Sequence, residues 1–536
     1  MFRKFRSHIY LSLVFFVLTL FQQYFFYWFK GIPIVWLTSG KYFGVYLFLL
    51  AATFIKPSWL RFVFLSFVMG LNFFQMIHLS YFGTQILPNE FYLFFTQFGE
   101  IQGTLFHEIR HILLALVLTL FPLGICFVAS KRTKLFQGSR ILGVLFCLYF
   151  IYNPIRTMVT GNTWGRQPST RELAGMNVYL SMSYFLGKIL PSKLSKDKIE
   201  EATNTSTGLN FIGKEASKWD KIIFILGESL TPNQMELFGY ERSTTPFLAS
   251  IKDSPNFFYR RALGGGVSTD IAVAFLLNLG YGDAGSFKAA TGNHCLFKLA
   301  KEQNFKTRFY SIQSSQQLRY IAPYLCSASL DEYKAMEDIA PHIVNDQAAL
   351  DRELLPSLEV MLKSPEKQFI MLHHRGSHAP WELRASPEAQ KFRENTPIDF
   401  YDNSVVEFDL FMKELDQKLS KSKDKILVVY VSDHGEALGQ NGEWGHGRLD
   451  RPSFEIPFLM LSYNQNFPEG THELKNYLTH YNVALLVAKE LGHIPNQKAE
   501  DYLLDYMIYG NDIDGFAGKA KIFYSPEHTY NFEVIQ

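Results

Sequence analysis

A buried strand that ends in metal-binding side chains is predicted by the stretch Ile426-Leu-Val-Val-Tyr-Val-Ser-Asp-His-Gly-Glu436. Its first seven residues carry no charge, and Asp433 and His434 follow them directly. Uninterrupted apolar runs of this length are typical of strands buried on both faces, as in a parallel sheet. Gly435 allows a sharp turn after the strand, and Glu436 adds a second carboxylate.

Two other apolar runs in the C-terminal half end in the same kinds of residue. One is Lys221-Ile-Ile-Phe-Ile-Leu-Gly227, followed by Glu228, and the other is Gln368-Phe-Ile-Met-Leu372, followed by His373 and then by His378. Open parallel sheets bind their ligands at the carboxyl ends of the strands. We therefore expect these residues to meet at one edge of a sheet, in a mixed carboxylate and imidazole site suited to a zinc-like ion.

A glycine-rich loop that leads into a helix is predicted by Gly264-Gly-Gly-Val-Ser-Thr-Asp-Ile-Ala-Val-Ala-Phe-Leu-Leu277. Ser268 or Thr269 falls at the start of this helix, where free N–H groups and the positive end of the helix dipole suit a phosphate or a developing alkoxide. The glycines let a ligand approach the backbone closely. The alternative is that Ser268 or Thr269 only caps the helix.

Histidines follow two of the predicted strands. His446-Gly447 comes after a second glycine-rich loop, residues 439–445, and His373-His-Arg-Gly-Ser-His378 follows the third strand. Several ionisable groups in one place are more typical of a functional site than of a strand end with surface histidines. We interpret His374 as a structural residue, because alternation along a strand turns it away from the face of its neighbour.

The composition separates two regions of the 536-residue chain. The first 155 or so residues are dense in Phe, Leu, Ile and Val, whereas the rest is typical of a soluble α/β protein. A net charge of +2 gives no indication of a nucleic-acid partner. Cys126 and Cys147 lie in apolar runs and are interpreted as packing residues. Cys295 and Cys326 can form one disulfide if they lie outside the cytoplasm, and the sequence leaves that pairing open.

Five membrane-spanning helices are predicted in the first region. The first run is too long for a signal-peptide core and lacks a cleavage site, so we expect it to remain as a helix. The alternative, a set of buried core helices in a soluble protein, is disfavoured by the number of runs and by their basic loops. The spans are Ile9–Phe29, Ile34–Ile55, Phe62–Phe82, Ile112–Ser130 with a kink at Pro122, and Ile141–Ile155, which is expected to begin near Phe136.

Basic residues predict the orientation of these spans, because loops rich in Lys and Arg stay in the cytoplasm. The basic clusters precede span one, join spans two and three, and join spans four and five, so all fall on one side if the N-terminus is cytoplasmic. Five spans then place everything after Arg156 outside. The clusters are Arg3, Lys4 and Arg6, then Lys56 and Arg61, then Lys131, Arg132, Lys134 and Arg140.

The sequence thus predicts three regions: a transmembrane domain over residues 1–156, a linker with interfacial helices over 157–218, and a catalytic domain over 219–536. The outside segment from Gly83 to Arg110 mixes aromatic residues with acidic ones, including Glu100, and is expected to lie along the membrane surface.

Five motifs follow one another along the chain: Gly227-Glu-Ser229, Phe238-Gly-Tyr-Glu-Arg-Ser-Thr-Thr-Pro246, the Thr269 loop, Gly376-Ser-His378, and Ser432-Asp-His-Gly-Glu436 with His446-Gly447. In kind and order they resemble the motifs of the membrane-bound phosphoethanolamine transferases of Gram-negative bacteria, which belong to the sulfatase-like branch of the alkaline phosphatase superfamily. The layout of five spans followed by an outside α/β domain is similar to that family too.

The resemblance implies a fold, a site and a chemistry. The fold is an N-terminal five-helix transmembrane domain plus a C-terminal sulfatase-like α/β domain with a mostly parallel central sheet. The cofactor would be Zn²⁺, one ion or two, with Mn²⁺ as an alternative. The matching positions make Glu228, Thr269, Asp433 and His434 the metal ligands, Thr269 the nucleophile, His378 and His446 the groups that hold the transferred phosphoryl group, and Glu436 and His373 weaker pocket positions.

The implied reaction takes phosphoethanolamine from phosphatidylethanolamine, through an intermediate on Thr269, to lipid A, the lipopolysaccharide core or another envelope glycan. The enzyme would be a multi-pass protein of the bacterial inner membrane with a cytoplasmic N-terminus and a periplasmic catalytic domain. The membrane domain would present the lipid, and Glu100 would contact the ethanolamine head. One departure is visible: where lipid A members carry a disulfide bracketing the nucleophile, this chain has Gly265 and Phe275.

Other functions remain open. A phosphoglycerol transferase of the lipoteichoic acid synthase type shares the layout and the Glu/Thr/Asp/His set, but the run Phe238–Pro246 favours the phosphoethanolamine family. An arylsulfatase is disfavoured because it needs Cys or Ser as nucleophile, followed by Pro and Arg, whereas Asp270 to Val273 follow Thr269 here.

A membrane metalloprotease is the alternative from a different class. His107-Glu-Ile-Arg-His111 matches the HExxH pattern, with two histidines one helical turn apart and a glutamate as base. The charge of Arg110 and the lack of a third ligand disfavour this interpretation. A sensor or scaffold with a decayed site is disfavoured because every implied ligand is present.

Overall fold

The computed structural model forms two compact units, Met1–Ser195 and Lys196–Gln536. It describes residues 2–30, 39–56, 58–82, 86, 88, 90–91, 94, 109–131, 139–160, 173–191, 209–280, 294–343, 348–440, 443–474, 477–496, 506–510, 518–525 and 529–535.

The N-terminal unit is built from apolar helices. A described helix coincides with each of the five predicted spans, and a sixth helix follows within the predicted linker. The helices are α1 Phe2–Lys30, α2 Ser39–Thr53, α3 Ser58–Phe82, α4 Ile109–Lys131, α5 Arg140–Thr160 and α6 Ala174–Tyr184, which continues as a π-helical turn over Phe185–Ile189.

Three of these helices are long and apolar enough to cross a membrane, over Arg6–Phe29, Trp59–Leu79 and Ile141–Thr160. The apolar parts of α2 and α4, Gly40–Thr53 and Leu113–Ile125, are shorter. A bilayer core about 30 Å thick needs roughly 20 apolar residues in a helix. A helix is thus described at each of the five predicted spans, while five complete crossings remain a prediction.

Polar side chains join three of the helices inside this unit. The Gln22 amide of α1 donates to Thr119 Oγ1 of α4 at 2.7 Å and to the Met69 carbonyl of α3 at 3.2 Å. Asn72 of α3 donates to Gln22 Oε1 at 3.2 Å. Apolar packing alone lets helices slide in lipid, so hydrogen bonds of this kind fix their register.

Helix α6 packs on α3 by a close backbone approach. The Ala174 N–H donates to Gln23 Oε1 at 3.0 Å. A Cβ added at Gly175 would lie 2.8 Å from Asn72 Oδ1 and 3.0 Å from the Val68 carbonyl oxygen, so a larger residue there would force the Asn72 side chain and α3 to shift. Most side chains of α6 are buried, so this part of the predicted linker is a packed helix of the N-terminal unit.

The C-terminal unit is an α/β domain around an eight-stranded sheet in the order β11-β3-β10-β7-β2-β6-β4-β5. Strand β10 is antiparallel to both neighbours and the other five pairings are parallel, so the sheet is mixed rather than wholly parallel. The strands in it are β2 Lys221–Gly227, β3 Phe257–Leu263, β4 Lys306–Ser311, β5 Glu332–Lys334, β6 Gln368–His373, β7 Ile426–Ser432, β10 Glu455–Tyr463 and β11 Leu478–Thr479.

The three predicted strands β7, β2 and β6 are confirmed, and they are adjacent and parallel at the centre of the sheet. Gly227 pairs with Ser432, and Leu226 pairs with His373. This register brings Glu228 and Asp433, the next residues, to the same carboxyl edge. All residues of these strands are buried, as uninterrupted apolar runs predict.

Two apolar layers cover the sheet. Ile222, Phe224 and Leu226 face the layer that contains α8, α9 and α14, and Ile223 and Ile225 face the layer of α11 and α12. The helices of this unit are α7 Pro246–Ser250, α8 Thr269–Leu277, α9 Leu296–Glu302, α10 Met336–Ile339, α11 Leu354–Leu362, α12 Pro397–Leu419, α13 Arg451–Phe454 and α14 His480–Glu490.

The described residues of this unit also form three small sheets and one disulfide. Cys295, just before α9, is bonded to Cys326, so the pairing that the sequence left open is formed. The remaining strands are β1 Phe211–Lys214, which pairs with β12 His493–Pro495; β8 Ala437–Leu438, which pairs with β9 Trp444–Gly445; and β13 Tyr506–Tyr509, β14 Lys519–Tyr524 and β15 Tyr530–Ile535, which form a three-stranded sheet.

Candidate active site

Two carboxylates and an imidazole meet at the carboxyl ends of β2 and β7. His434 Nε2 lies 3.3 Å from Glu228 Oε1 and 3.4 Å from Asp433 Oδ2. All three side chains are almost completely buried. The backbone turns sharply here: Ser229 adopts a φ of 55° and its N–H donates to Asp433 Oδ1 at 3.0 Å. A non-glycine residue in this region stores strain, which is common at functional sites.

The hydroxyl of Thr269 reaches the same point from the glycine-rich loop. Thr269 is the first residue of α8, and its Oγ1 donates to Glu228 Oε2 at 3.1 Å and lies 3.3 Å from His434 Nε2. Ser268 occupies the capping position but makes no side-chain cap, since its hydroxyl donates to Asp270 at 2.9 Å. Neither hydroxyl makes the helix-capping bond that the alternative interpretation requires.

Two observations indicate that these residues fit a metal ion: the kinds of donor atom they offer, and a buried carboxylate oxygen that accepts no hydrogen bond. The ligand atoms of Glu228, Asp433 and His434 all lie within 4.8 Å of one another. Asp433 Oδ2 is buried and accepts no hydrogen bond, and such groups are rare unless an ion or water completes them. His434 Nδ1 lies 2.9 Å from the Gly435 carbonyl. This contact fits a donated hydrogen bond, which would leave Nε2 as a ligand.

Charge at the site also favours a cation. Burial and the neighbouring Glu228 carboxylate raise the pKa of Asp433 to about 7. Burial opposes ionisation of Glu228, but its hydrogen bond and charge interaction with His434 hold its pKa well below the usual range. Burial lowers the pKa of His434, yet the two carboxylates outweigh it and raise that pKa to about 10. In the absence of an ion, a proton on His434 supplies the positive charge.

A second group adjoins the first. His446 Nδ1 lies 2.8 Å from Glu436 Oε2, and the His446 ring is 4.1 Å from that of His434. His378 lies beyond it, with ring centroids 5.9 Å apart. Burial raises the pKa of Glu436 to about 8. His434, Glu436 and His446 could also hold an ion, which keeps both one and two metals compatible with the site.

The loop that leads from β6 to His378 requires a glycine at position 376. Gly376 has a φ of 55°, and a Cβ there would lie 2.3 Å from the Glu228 carbonyl oxygen. Ser377 donates its N–H to that same oxygen at 3.0 Å. The loop after β6 therefore passes directly against the backbone of Glu228, and only glycine permits so close an approach.

His373 is placed behind Glu228 rather than in an open pocket. It has no exposed surface, its Nδ1 lies 2.9 Å from Ser311 Oγ, and burial lowers its pKa to about 4. His374 is also buried and packs edge-on against Phe411, with its Nδ1 3.3 Å from Asp351, which agrees with its structural interpretation. His373 is as fully buried as Asp433 and His434, and its predicted contact with substrate stays a prediction.

Two residues next to the site were missed from the sequence. Gln313 Nε2 lies 3.4 Å from Glu228 Oε2 and 2.9 Å from the His374 carbonyl. His480 lies against the glycine-rich loop at the start of α14. Strand β4, which precedes Gln313, reads Lys-Thr-Arg-Phe-Tyr-Ser and so lacks the uninterrupted apolar run that marked the other strands. No local pattern marks His480.

Two predicted features, the ethanolamine contact and the HExxH pattern, lie partly or wholly outside the described residues. Glu100, the expected contact for the ethanolamine head, lies outside the described residues. In the HExxH pattern, His107 and Glu108 also lie outside them, and only the backbone of His111 within α4 is described.

The family model of the sulfatases matches residues 220–492, just over half of the chain. The chain therefore belongs to the sulfatase family. The match covers the strands that carry Glu228, His373 and Asp433, so the sulfatase-like domain predicted from the motifs is confirmed.

Curated relatives confirm the more particular resemblance. The chain is 26% identical over 268 residues to phosphoethanolamine transferase EptA of Helicobacter pylori, which covers 46% of this chain and 48% of the relative. It is 26% identical over 246 residues to phosphatidylethanolamine transferase Mcr-1 of Escherichia coli. That match covers 42% of this chain and 44% of the relative. The chain thus spans about half the length of the curated relatives it matches.

A solved structure extends the likeness in fold to the N-terminal helices. The integral membrane protein lipooligosaccharide phosphoethanolamine transferase A (EptA) from Neisseria meningitidis matches 89% of this chain and 95% of its own, with a TM-score of 0.56 and 17% identity. At this identity the comparison establishes a shared fold.

Proposed function

We propose that this chain transfers phosphoethanolamine from phosphatidylethanolamine to a cell-envelope glycolipid or glycan, such as lipid A or the lipopolysaccharide core. The observation that carries the proposal is the buried Thr269 hydroxyl, 3.1 Å from Glu228 and 3.3 Å from His434. The names of the two curated relatives support the transferred group and its lipid source, and the name of a third, Kdo(2)-lipid A phosphoethanolamine 7''-transferase of Escherichia coli, supports lipid A as the acceptor.

Zn²⁺ suits the donor set of Glu228, Thr269, Asp433 and His434, which is two carboxylates, an imidazole and a hydroxyl. Mn²⁺ is the alternative, and a second ion would lie at His446 and Glu436. A bound ion would favour the alkoxide form of a threonine hydroxyl, as metals do for water.

The chain's own residues account for the two steps. Thr269 Oγ1 forms a bond to phosphorus as its proton passes to His378 or His446, and the bond from phosphorus to the diacylglycerol oxygen breaks as that oxygen takes the proton. An acceptor hydroxyl or phosphate then gives a proton to the same histidine and attacks the phosphorus, and Thr269 Oγ1 takes the proton back as its bond to phosphorus breaks. His378 and His446 lie beside the site and would stabilise the phosphoryl oxygens or supply the proton. Glu436 orients His446 through the 2.8 Å contact.

The role that suits His373 is to help hold the Glu228 side chain in place through Gln313. Its ring Nε2 lies 3.4 Å from the Gln313 amide, which in turn lies 3.4 Å from Glu228 Oε2. Glu100 remains the proposed contact for the ethanolamine ammonium group.

The proposed location is the bacterial inner membrane, with five crossings over residues 1–156, a cytoplasmic N-terminus, a linker over 157–218 and a periplasmic catalytic domain over 219–536. The distribution of basic residues supports this orientation. The bond between Cys295 and Cys326 supports it as well, because disulfides persist in oxidising compartments such as the periplasm.

A turnover assay tests the proposal. The full chain in detergent is supplied with Zn²⁺ and fluorescent phosphatidylethanolamine, beside Thr269→Ala and the conservative variant Thr269→Ser. We expect the wild type to release diacylglycerol and to carry a phosphoethanolamine adduct on Thr269 by mass spectrometry. We expect Thr269→Ala to do neither and Thr269→Ser to keep part of the activity.

Three other outcomes of this assay would each favour a different mechanism or function. Normal turnover by Thr269→Ala would refute the mechanism. Cleavage of phosphatidylglycerol in place of phosphatidylethanolamine would assign the chain to the phosphoglycerol transferases. Inertness toward both lipids, together with peptide cleavage abolished by Glu108→Gln, would favour the HExxH protease.

A further inference from the structure

The loop that carries Thr269 is held through the backbone of Gly265, four residues before it. The Gly265 N–H donates to His480 Nδ1 at 3.0 Å, and the Gly265 carbonyl accepts from the Tyr509 N–H at 3.1 Å. Gly266 forms a bridge with Tyr509 as well. The loop therefore bonds on one side to the start of α14 and on the other to strand β13.

The His480 ring connects this loop to the strand that carries the carboxylate. Its Nε2 donates to the Ser432 carbonyl at 2.9 Å, one residue before Asp433. Because Nδ1 accepts and Nε2 donates, both ring nitrogens are used in fixed roles. One fully buried imidazole thus sets the distance between the Thr269 loop and the end of β7.

The Tyr509 ring fixes the helix that begins at Thr269. It packs on Phe275 with ring centroids 4.8 Å apart, in a small cluster with Ile271 and Ala274 on the buried side of α8. The loop also lies directly on this helix, since a Cβ at Gly265 would be 2.8 Å from the Phe275 Cβ.

We propose that Tyr509 and His480 are positioning residues for Thr269, and that β13 holds the nucleophile loop by non-covalent contacts. This inference rests on the proposed role of Thr269. Neither residue touches the reacting atoms. Both act on the position of a hydroxyl that must stay within about 3 Å of its partners, and a displacement of about 1 Å is enough to lower a rate about 100-fold.

Substitutions at the two positions test the inference in the full chain. Tyr509→Ala removes the ring but keeps the backbone N–H, and Tyr509→Phe is the matched conservative variant. His480→Leu removes both ring contacts, and His480→Gln keeps one donor and one acceptor. We expect Tyr509→Ala and His480→Leu to lower kcat about 10- to 100-fold with KM for the lipid within about twofold, and the conservative variants to restore most of it.

A crosslink supplies a readout that general destabilisation would not give. Gly265→Cys with Phe275→Cys places two thiols close enough for a disulfide after a shift of about 1 Å, since disulfide Cβ atoms lie about 3.8 Å apart. Added to Tyr509→Ala, this pair should hold the loop on α8 when oxidised and release it again when reduced, which is read by amide exchange rather than by kcat. Full activity of Tyr509→Ala and His480→Leu would overturn the inference.

Two measurements without lipid separate this inference from the proposed function. Hydrogen–deuterium exchange of the peptide covering 264–277 should be faster in Tyr509→Ala and should slow again in the oxidised crosslinked variant. Titration with Zn²⁺ alone should show weaker binding in Tyr509→Ala, because Thr269 is displaced. If the wild type turns over no lipid, the proposed function fails while these measurements still decide the inference. Unchanged exchange and unchanged Zn²⁺ affinity would overturn it.

Discussion

A few residues at the ends of β2 and β7 determine the charge of the candidate active site. Asp433 and Glu228 place two carboxylates beside His434 in a volume that water does not reach. Such a group of charges costs free energy in a protein interior unless an ion or a proton balances it. The site therefore couples metal, protons and stability, and this coupling is measurable.

The metal-free protein is expected to lose stability as the pH rises from 7 to 9. The pKa of His434 is raised to about 10 in the fold, so between about pH 6.5 and 10 the native state holds a proton that the unfolded chain has released. Glu436, with a pKa raised to about 8, acts in the same direction. The free energy of unfolding must therefore fall across this window.

The measurement is the denaturant midpoint of metal-stripped protein at pH 7, 8 and 9. His434→Gln should flatten the dependence, because the proton-binding group is gone, and Zn²⁺ should flatten it by replacing the proton. A midpoint that rises with pH in the stripped wild type would contradict the charge balance described for the site.

At the scale of elements, β7, β2 and β6 show how a strand places a side chain. Their parallel register puts Gly227 opposite Ser432, so the residues that follow reach one edge together. The positions of the remaining groups depend on turns and helix ends. Gly376 lets the His378 loop pass against Glu228, and α8 begins at Thr269.

The long helix α12 begins with a reciprocal capping arrangement. Thr396 Oγ1 accepts from the Asp399 N–H at 3.1 Å, and Asp399 Oδ2 accepts from the Thr396 N–H at 3.3 Å. Thr396→Ala leaves a helix N–H without its partner and is expected to lower the free energy of unfolding by about 1 kcal/mol. Ser420→Ala, at the exposed end of the same helix, is the control and should change it by less than about 0.5 kcal/mol. Chemical denaturation of both variants decides; equal effects would exclude a specific contribution of the cap.

The polar contacts inside the N-terminal unit are expected to stabilise its helix packing. Gln22→Leu removes three hydrogen bonds and leaves the Asn72 amide without its partner on α1, so we expect a loss of about 1 kcal/mol. Val17→Leu, on the exposed side of the same helix, should be neutral. Thermal unfolding in detergent compares the two, and a Gln22→Leu variant as stable as Val17→Leu would show that packing alone holds the helices.

At the scale of the whole molecule, the chain combines a helical unit and an α/β unit, and only the second contains a disulfide among the described residues. The bond closes a loop of 31 residues, for which chain entropy gives a stabilisation of about 3 to 4 kcal/mol. Cys326→Ser should therefore lower the unfolding transition of the α/β unit and leave that of the helical unit unchanged.

Two-transition calorimetry on the full chain checks this expectation. Cys147→Ser is the control, since Cys147 is a free cysteine in the helical unit. If the bond forms only when the protein is exported, expression confined to the cytoplasm should give the stability of Cys326→Ser. A disulfide formed equally in both compartments would weigh against the periplasmic orientation.

Much of the fold was predictable because buried strands and helices are indicated by patterns of neighbouring residues in the sequence. Three uninterrupted apolar runs specify three central strands, and five apolar runs specify five helices, since each pattern depends only on residues adjacent in the chain. The antiparallel direction of β10 was not predictable, because an apolar run looks the same in either direction.

The sequence alone identified the three central strands and the apolar helices of the N-terminal unit, and it predicted the residue types of the candidate site, including Glu228, Thr269 and Asp433. The sequence did not determine which histidines lie at the site, because His373 ends strand β6 and His378 lies in the loop after it, and only packing decides what each contacts. Tertiary packing placed His373 in the interior behind Glu228, and it brought Gln313, His480 and Tyr509 to the site from segments with no marking pattern. Such contacts join residues up to 244 positions apart, as Gly265 and Tyr509 are, and no local pattern can encode them.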